Sequence, residues 1–299
     1  MHLDSHKAPI LPDTIIHFKD ERFKAYLIQN FDTDQDGEIS TEEALMIRVV
    51  YCNNMHIKSL RGIEYFTNLK ILYCSENHIK SLDLSQNTSL ERVYCDSNKL
   101  SRLIPGNNPG LQILDCQFNN LRSLDVSKNT GLIYLDCSSN HLSKLDVRNN
   151  TALKELNCWV NSLNTLDVSQ NTELETLSFF VNNISRIDLS RNKQLKSLDC
   201  SQNHFTRLDV RANTKLEALS CTNNLIKKLD LSRNTDLYGL DCYGNDLSSL
   251  DLKKNYALVS LNCGANALDF IDLSSNDALE ELNVLTNHID LFDGDFASA

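Results

Sequence analysis

Leu132-Ile-Tyr-Leu135-Asp-Cys137-Ser-Ser-Asn140-His-Leu142-Ser-Lys-Leu145-Asp146-Val147-Arg-Asn-Asn150-Thr-Ala152 is one 21-residue phrase, and the chain is built by copying it. The frame restarts at Ile47, Leu69, Leu90, Leu111, Leu132, Leu153, Leu174, Leu195, Leu216, Leu237, Leu258 and Leu279; the first unit has 22 residues and the last is incomplete. A fixed period of this length means one structural turn stacked on the next, because no single turn can bury its leucines alone. In Leu135-Asp-Cys137 apolar residues alternate at period two, the mark of a short strand with one buried face. Identical strands in register predict a parallel sheet along one side of a coil of about twelve turns.

An asparagine follows each strand, at Asn77, Asn98, Asn119, Asn140, Asn161, Asn182, Asn203, Asn224, Asn245, Asn266 and Asn287. A turn leaving a sheet has N–H and C=O groups without ladder partners, and an inward amide supplies both a donor and an acceptor. A second file runs from Asn87 through Asn129 and Asn150 to Asn276. With the preceding Asp and Ser, it predicts local side-chain-to-backbone turns on the opposite side. The aspartates of that segment (Asp83, Asp125, Asp146, Asp167, Asp188, Asp209, Asp230, Asp251, Asp272) form a file of like charges. Neighbours about 5 Å apart repel by about 0.8 kcal/mol even in water, so Lys128, Arg191, Arg233 and Lys254 are expected to offset them.

All ten cysteines occupy one repeat position, which Phe179 and Val284 also fill. Equivalent Cβ atoms on stacked strands run parallel about 4.8 Å apart, poor geometry for a disulfide. The column therefore predicts buried, reduced thiols that pack as small hydrophobes. With 299 residues and 41% hydrophobic content, the chain can bury one continuous core. No stretch of 18 or more apolar residues exists, so no membrane span is expected. Met-His-Leu-Asp-Ser-His-Lys at the start lacks the apolar segment of a signal peptide. A net charge of −11 argues against nucleic acid, whose phosphates need a basic stripe.

The pattern Leu-x-x-Leu-x-Cys-x-x-Asn-x-Leu-x-x-Leu-Asp-Val/Leu-Ser-x-Asn over roughly residues 47–291 resembles the 21-residue leucine-rich repeats of bacterial internalin-like surface proteins, in particular those with a cysteine ladder. Leu60-Arg-Gly-Ile-Glu-Tyr-Phe-Thr-Asn-Leu69 is similar to that family's first-repeat phrase. The resemblance implies an α/β solenoid: a right-handed leucine-rich repeat coil with a concave parallel sheet and a helical cap. It also implies binding of host or cell-surface molecules through that sheet.

Residues 1–46 read as the cap and 47–299 as the solenoid. Phe23, Tyr26, Leu27 and Phe31 fall at helical spacing, followed by Asp32-Thr-Asp34-Gln-Asp36-Gly37-Glu38-Ile39-Ser40-Thr-Glu-Glu43. A twelve-residue calcium loop needs oxygens at positions 1, 3, 5, 7, 9 and 12 and glycine at 6. Asp32, Asp34, Asp36, the Glu38 carbonyl, Ser40 and Glu43 fill those positions, so an EF-hand-like loop with a structural Ca²⁺ is expected. Ser40 and Glu43 also make a capping box, which accounts for two of the six without metal. The cap is further expected to cover the first edge strand.

Residues flanking the second leucine of each strand point onto the exposed sheet face. Tyr51, Tyr73, Tyr94 and Tyr134 lie there, with Phe118, Trp159 and Phe180 just past the strands, whereas later turns offer small polar residues. Adjacent exposed aromatics mark a recognition patch, and these seven are the candidate ligand-binding residues. Five of the eight histidines, His56, His78, His141, His204 and His288, fall at the repeat position after the recurring Asn, at separations suiting neither a metal tetrad nor a triad. Phosphate loops and nucleophile elbows are absent, and an enzyme is not expected. The reading is a secreted or surface-displayed module that binds a protein or glycan. A cytoplasmic scaffold or regulatory subunit and a rigid spacer of an envelope assembly are the alternatives, the last because Leu291-Phe-Asp-Gly-Asp-Phe-Ala-Ser-Ala offers no polar cap.

Overall fold

Alternating Leu-x-Cys triplets form a single parallel sheet. The structure, a computed structural model, describes residues 14–289; the first seven residues and the stretch 291–299 singled out in the sequence lie outside that range. Twelve three-residue strands, from Val49–Tyr51 and Ile71–Tyr73 through Tyr134–Asp136 and Glu155–Asn157 to Glu281–Asn283, stack in turn order. Each leucine pairs with the leucine or valine one turn away, as Leu135 does with Leu114 and Leu156. The period therefore translates directly into register. A second, two-stranded parallel sheet joins Ser81–Asp83 to Arg102–Ile104 on the far side, which the repeat pattern does not predict.

Inside the coil, the leucines and all ten cysteines are buried in one continuous core. The thiols are unpaired, as expected, and several donate to the next turn, Cys116 Sγ to the Asp136 carbonyl at 3.4 Å. Burial pushes them up, Cys52 to about 12 and Cys263 to about 11, so they remain protonated. The post-strand asparagines act as the backbone argument requires. Asn140 Nδ2 donates to the carbonyls of Cys116, Cys137 and Ser138, and its Oδ1 accepts the Leu121 N–H.

The second asparagine file departs from the local-turn expectation. Asn150 is fully buried and its Nδ2 donates to Val126 O and Asn129 O of the preceding turn, tying turns together. Its Oδ1 has no partner among the described residues, nor have those of its equivalents from Asn87 to Asn276. The aspartates do make local turns, Asp125 Oδ1 accepting the Ser127 N–H. Hydrogen bonds from Ser127, and then the Lys128 charge as expected, hold the Asp125 carboxyl below the usual range, but the direct ion pairs come from other residues. Arg148 holds Asp146 at 2.6 Å, Arg211 holds Asp209 at 2.7 Å, and Lys253 reaches Asp272 at 3.5 Å. In the two arginine pairs the Asx turn brings residue +2 back over the carboxylate, so a cation there is nearer than one at +3, whereas Lys253 reaches Asp272 from the turn before.

Two helices, α1 (Glu21–Phe31) and α2 (Thr41–Met46), form the cap and share the core of the coil through Phe23, Leu27 and Ala44. Asp20 caps α1, accepting from Arg22 and Phe23 N–H, and also takes the Lys58 N–H of the first turn. On the open edge, the Tyr51 N–H donates to the Tyr26 hydroxyl at 2.8 Å. Cap residues thus satisfy backbone donors of the first turn, including one on the edge strand.

Candidate functional site

Strand register sets Tyr51, Tyr73, Tyr94, Asp115, Asp136, Asn157 and Ser178 in one column on the exposed face. Tyr73 and Tyr94 stack, with ring centroids 4.8 Å apart and 3° from parallel, and Tyr51 lies tilted by 50° against Tyr73 at 5.2 Å. Trp159 and Phe180 stack at 5.2 Å and 8°, and Phe118 meets the indole edge-on at 5.5 Å. Six of the seven aromatics therefore make two stacks rather than one patch. Tyr134 stands between them, its hydroxyl 3.5 Å from Asp136 Oδ2.

Between the stacks lie Asp115 and Asp136, paired across adjacent strands. Sequence reading places them on the face but gives no sign of their burial. Asp136 is only 4% exposed. Burial pushes Asp115 up to about 6; the negative charges of Asp136 and Asp96 add to this against hydrogen bonds from Gln117. Asp136 and the Tyr134 phenol are raised too, chiefly by burial.

The backbone beneath the second stack is strained. One residue before each post-strand asparagine adopts a left-handed conformation; Asn223 and Gly244 suit it, while other turns place Glu76, Gln202, Ala265 or Thr286 there. Phe118, Val160 and Val181 hold it at φ of 51°, 49° and 55°. A β-branched residue in this region costs about 1–2 kcal/mol relative to asparagine or glycine. Val160→Asn and Val181→Asn are each expected to raise the unfolding free energy by about 1 kcal/mol in urea titrations. A lower midpoint would show that the valines are held by packing and not under strain. These side chains are partly exposed (Phe118 50%, Val160 37%), so full burial in the core does not offset the strain.

In the cap loop, carboxylate oxygens of Asp32, Asp34 and Asp36 lie within 4.8 Å of one another, a separation that ligands of one cation share. It is the only such His/Cys/Asp/Glu group among the described residues. Gly37 takes φ +83° with open space around it, as the sharp turn requires. The Glu38 side chain pairs with Lys24 at 2.8 Å, leaving its carbonyl as its possible ligand atom. Glu43 is engaged by the protein itself: Oε1 accepts from Thr33 N and Oγ1, and Oε2 from Ser40 N and Oγ. Ser40 completes the capping box through the Glu43 N–H. Three donors are thus convergent, while Ser40 and Glu43 latch the loop to α2. Asp34 titrates above its ordinary value, because desolvation and the charges of Asp36 and Glu43 outweigh the hydrogen bond from the Asp36 N–H.

His56 and His78 stack at 5.4 Å on the rim, and no helix of the described residues is long and apolar enough to cross a membrane. Comparison with solved structures matches the buried cysteine file and its 21-residue frame to the functional domain of internalin InlJ from Listeria monocytogenes, which includes a cysteine ladder. Identity is 34% over 92% of this chain and 70% of that one, with a TM-score of 0.72. This chain belongs to the internalin family. Internalin InlF of the same organism is 24% identical over 91% of each chain, TM-score 0.73. A leucine-rich repeat protein of Leptospira interrogans is 18% identical over 89% and 82%, TM-score 0.69. These two share the fold. No protein-family model and no curated protein matches the sequence. Within the internalin frame, the two aromatic stacks and the dicarboxylate between them are local substitutions on a uniform ladder.

Proposed function

We propose that this internalin-type chain is a non-enzymatic recognition module, secreted or displayed at a cell surface, that binds a protein or glycan through the aromatic stacks of its concave sheet. The observation that carries the reading is the Phe118–Trp159–Phe180 cluster, raised beside left-handed backbone that valine and phenylalanine occupy at a cost. Stacked aromatic anchors with a polar surround are what binding hot spots share. A structural Ca²⁺ held by Asp32, Asp34, Asp36 and the Glu38 carbonyl stiffens the cap in this reading, with Ser40 and Glu43 completing the shell once their internal bonds rearrange.

Capture from cell-surface and extracellular-matrix extracts, and on glycan arrays, tests it. Trp159→Ala with Phe180→Ala is expected to lose at least about 100-fold in affinity while the thermal midpoint shifts little, since both rings sit outside the core. Equal capture by the double variant would overturn the site.

A further inference from the structure

Away from the concave sheet, one repeat offset carries a cation on three successive turns, at Arg186, Arg207 and Lys228. Elsewhere that offset holds Ser81, Ser123, Thr165 and Ser249, with Arg102 and Lys144 isolated between them. The same offset pairs Ser81 with Arg102 in the second sheet, so neighbours in the file stand about 5 Å apart. All three cations are exposed, and none has an ion pair among the described residues. The aspartates two residues on do not supply one, since Asp209 is held by Arg211 at 2.7 Å instead. Together with Arg211, Asp209 and Asp230, the three cations line one groove of about 510 Å³. Arg211 serves both acids. Its hydrogen bonds draw Asp209 down to about 2, and its charge adds to the Ser232 hydrogen bonds that lower Asp230. The groove is left with four cations against two carboxylates.

We infer that this groove binds a linear acidic polysaccharide, its sulfate or carboxylate groups set in turn against Arg186, Arg207 and Lys228. The inference is independent of the aromatic stacks, which lie on the other side of the coil. A sugar chain advances by about one turn spacing per ring, so acids on successive rings meet successive cations. Arginine forks pair bidentately with such acids, while Asp209 and Asp230 suit the ring hydroxyls between them. Nucleic acid fits less well. No aromatic ring lines the groove for bases to stack on, and the two carboxylates repel a continuous phosphate backbone. On a chain of net charge −11 the contact is confined to this stretch, so binding rests on a few exposed charges and is sensitive to salt.

The probes are fluorescein-labelled dodecasaccharides of heparin and of polygalacturonate, read by anisotropy at pH 7.5. The first carries sulfates and the second a carboxylate on every ring, so the pair tells which acid the groove takes. Saturable binding of at least one is expected at about 50 mM NaCl, weaker by at least about tenfold at about 200 mM. Arg186→Gln/Arg207→Gln/Lys228→Gln is expected to weaken it by at least about tenfold. Lys99→Gln/Lys128→Gln/Lys254→Gln removes the same charge from scattered turns and should bind as wild type does. Both triple variants exchange exposed side chains, so their thermal midpoints should match wild type. Equal losses in the two triple variants would reduce the effect to net charge and overturn the groove, as would failure of both sugars to bind. A labelled oligothymidylate of twelve nucleotides bound as tightly as the sugars would overturn the polysaccharide in favour of nucleic acid. Trp159→Ala/Phe180→Ala is expected to keep the binding. Loss there, with the groove variant intact, would place the sugar on the concave face, supporting the recognition reading and sinking this one.

Discussion

Asn140→Ala is expected to lower the unfolding free energy by about 3 kcal/mol or more, whereas Asn150→Ala costs about 1–2 kcal/mol. Both residues are buried amides on the same repeat, so side-chain chemistry does not separate them. Their partners do. Removing Asn140 leaves the buried Leu121 N–H with no acceptor and weakens three carbonyls at once. Removing Asn150 costs two bonds, but Val126 O still accepts the Asn129 N–H and Asn129 O still accepts the Leu132 N–H. It also deletes a buried oxygen that had no partner. An orphaned donor is worth more than a lost bond, which sets the order. Because a coil transmits stability through nearest neighbours, the Asn140 variant should also unfold in two steps, with halves on either side of the defect. Urea titration of both variants decides the matter; equal losses would mean that the two ladders are energetically equivalent.

The second large effect is expected at the cap. On the calcium reading proposed above, 1 mM Ca²⁺ with a dissociation constant a hundredfold lower adds about 2.7 kcal/mol to the folded state. A rise of about 5 °C or more in the thermal midpoint follows, reversed by chelator. Asp34→Ala should abolish the response. Without calcium the same variant should melt no lower than wild type, because it relieves the crowding of three carboxylates. That inversion separates a metal site from the capping-box explanation, in which Ser40 and Glu43 alone shape the loop. A midpoint indifferent to calcium in wild type would remove the metal from the account, and terbium luminescence gives a readout that does not depend on stability.

Much of the molecule is legible in the chain because a repeat states its structure many times over. One phrase fixes strand, turn and register, and the column of ten cysteines with Phe179 and Val284 among them already says core rather than disulfide. The donor and acceptor on each post-strand asparagine follow from which backbone groups a sheet-leaving turn strands. Aromatic residues at the same offset in neighbouring turns predict their stacks, and Trp159 over Phe180 is the clearest case.

The rest depends on distances between turns, which a periodic pattern does not encode. Whether an asparagine bonds its own turn or the one before is set by where the buried amide points, and Asn150 points backward. Which cation neutralises Asp146 depends on the bend of its Asx turn, so Arg148 does it. Asp115 and Asp136 look like any other polar rung in sequence. Only the stacking of turns buries them, and that burial is what raises their pKa. The sequence by itself determined the coil, its core and the positions of its aromatics, since periodicity and residue type act locally and repeat. Tertiary structure alone decided burial, partner choice and charge state, since these arise from groups brought together across turns.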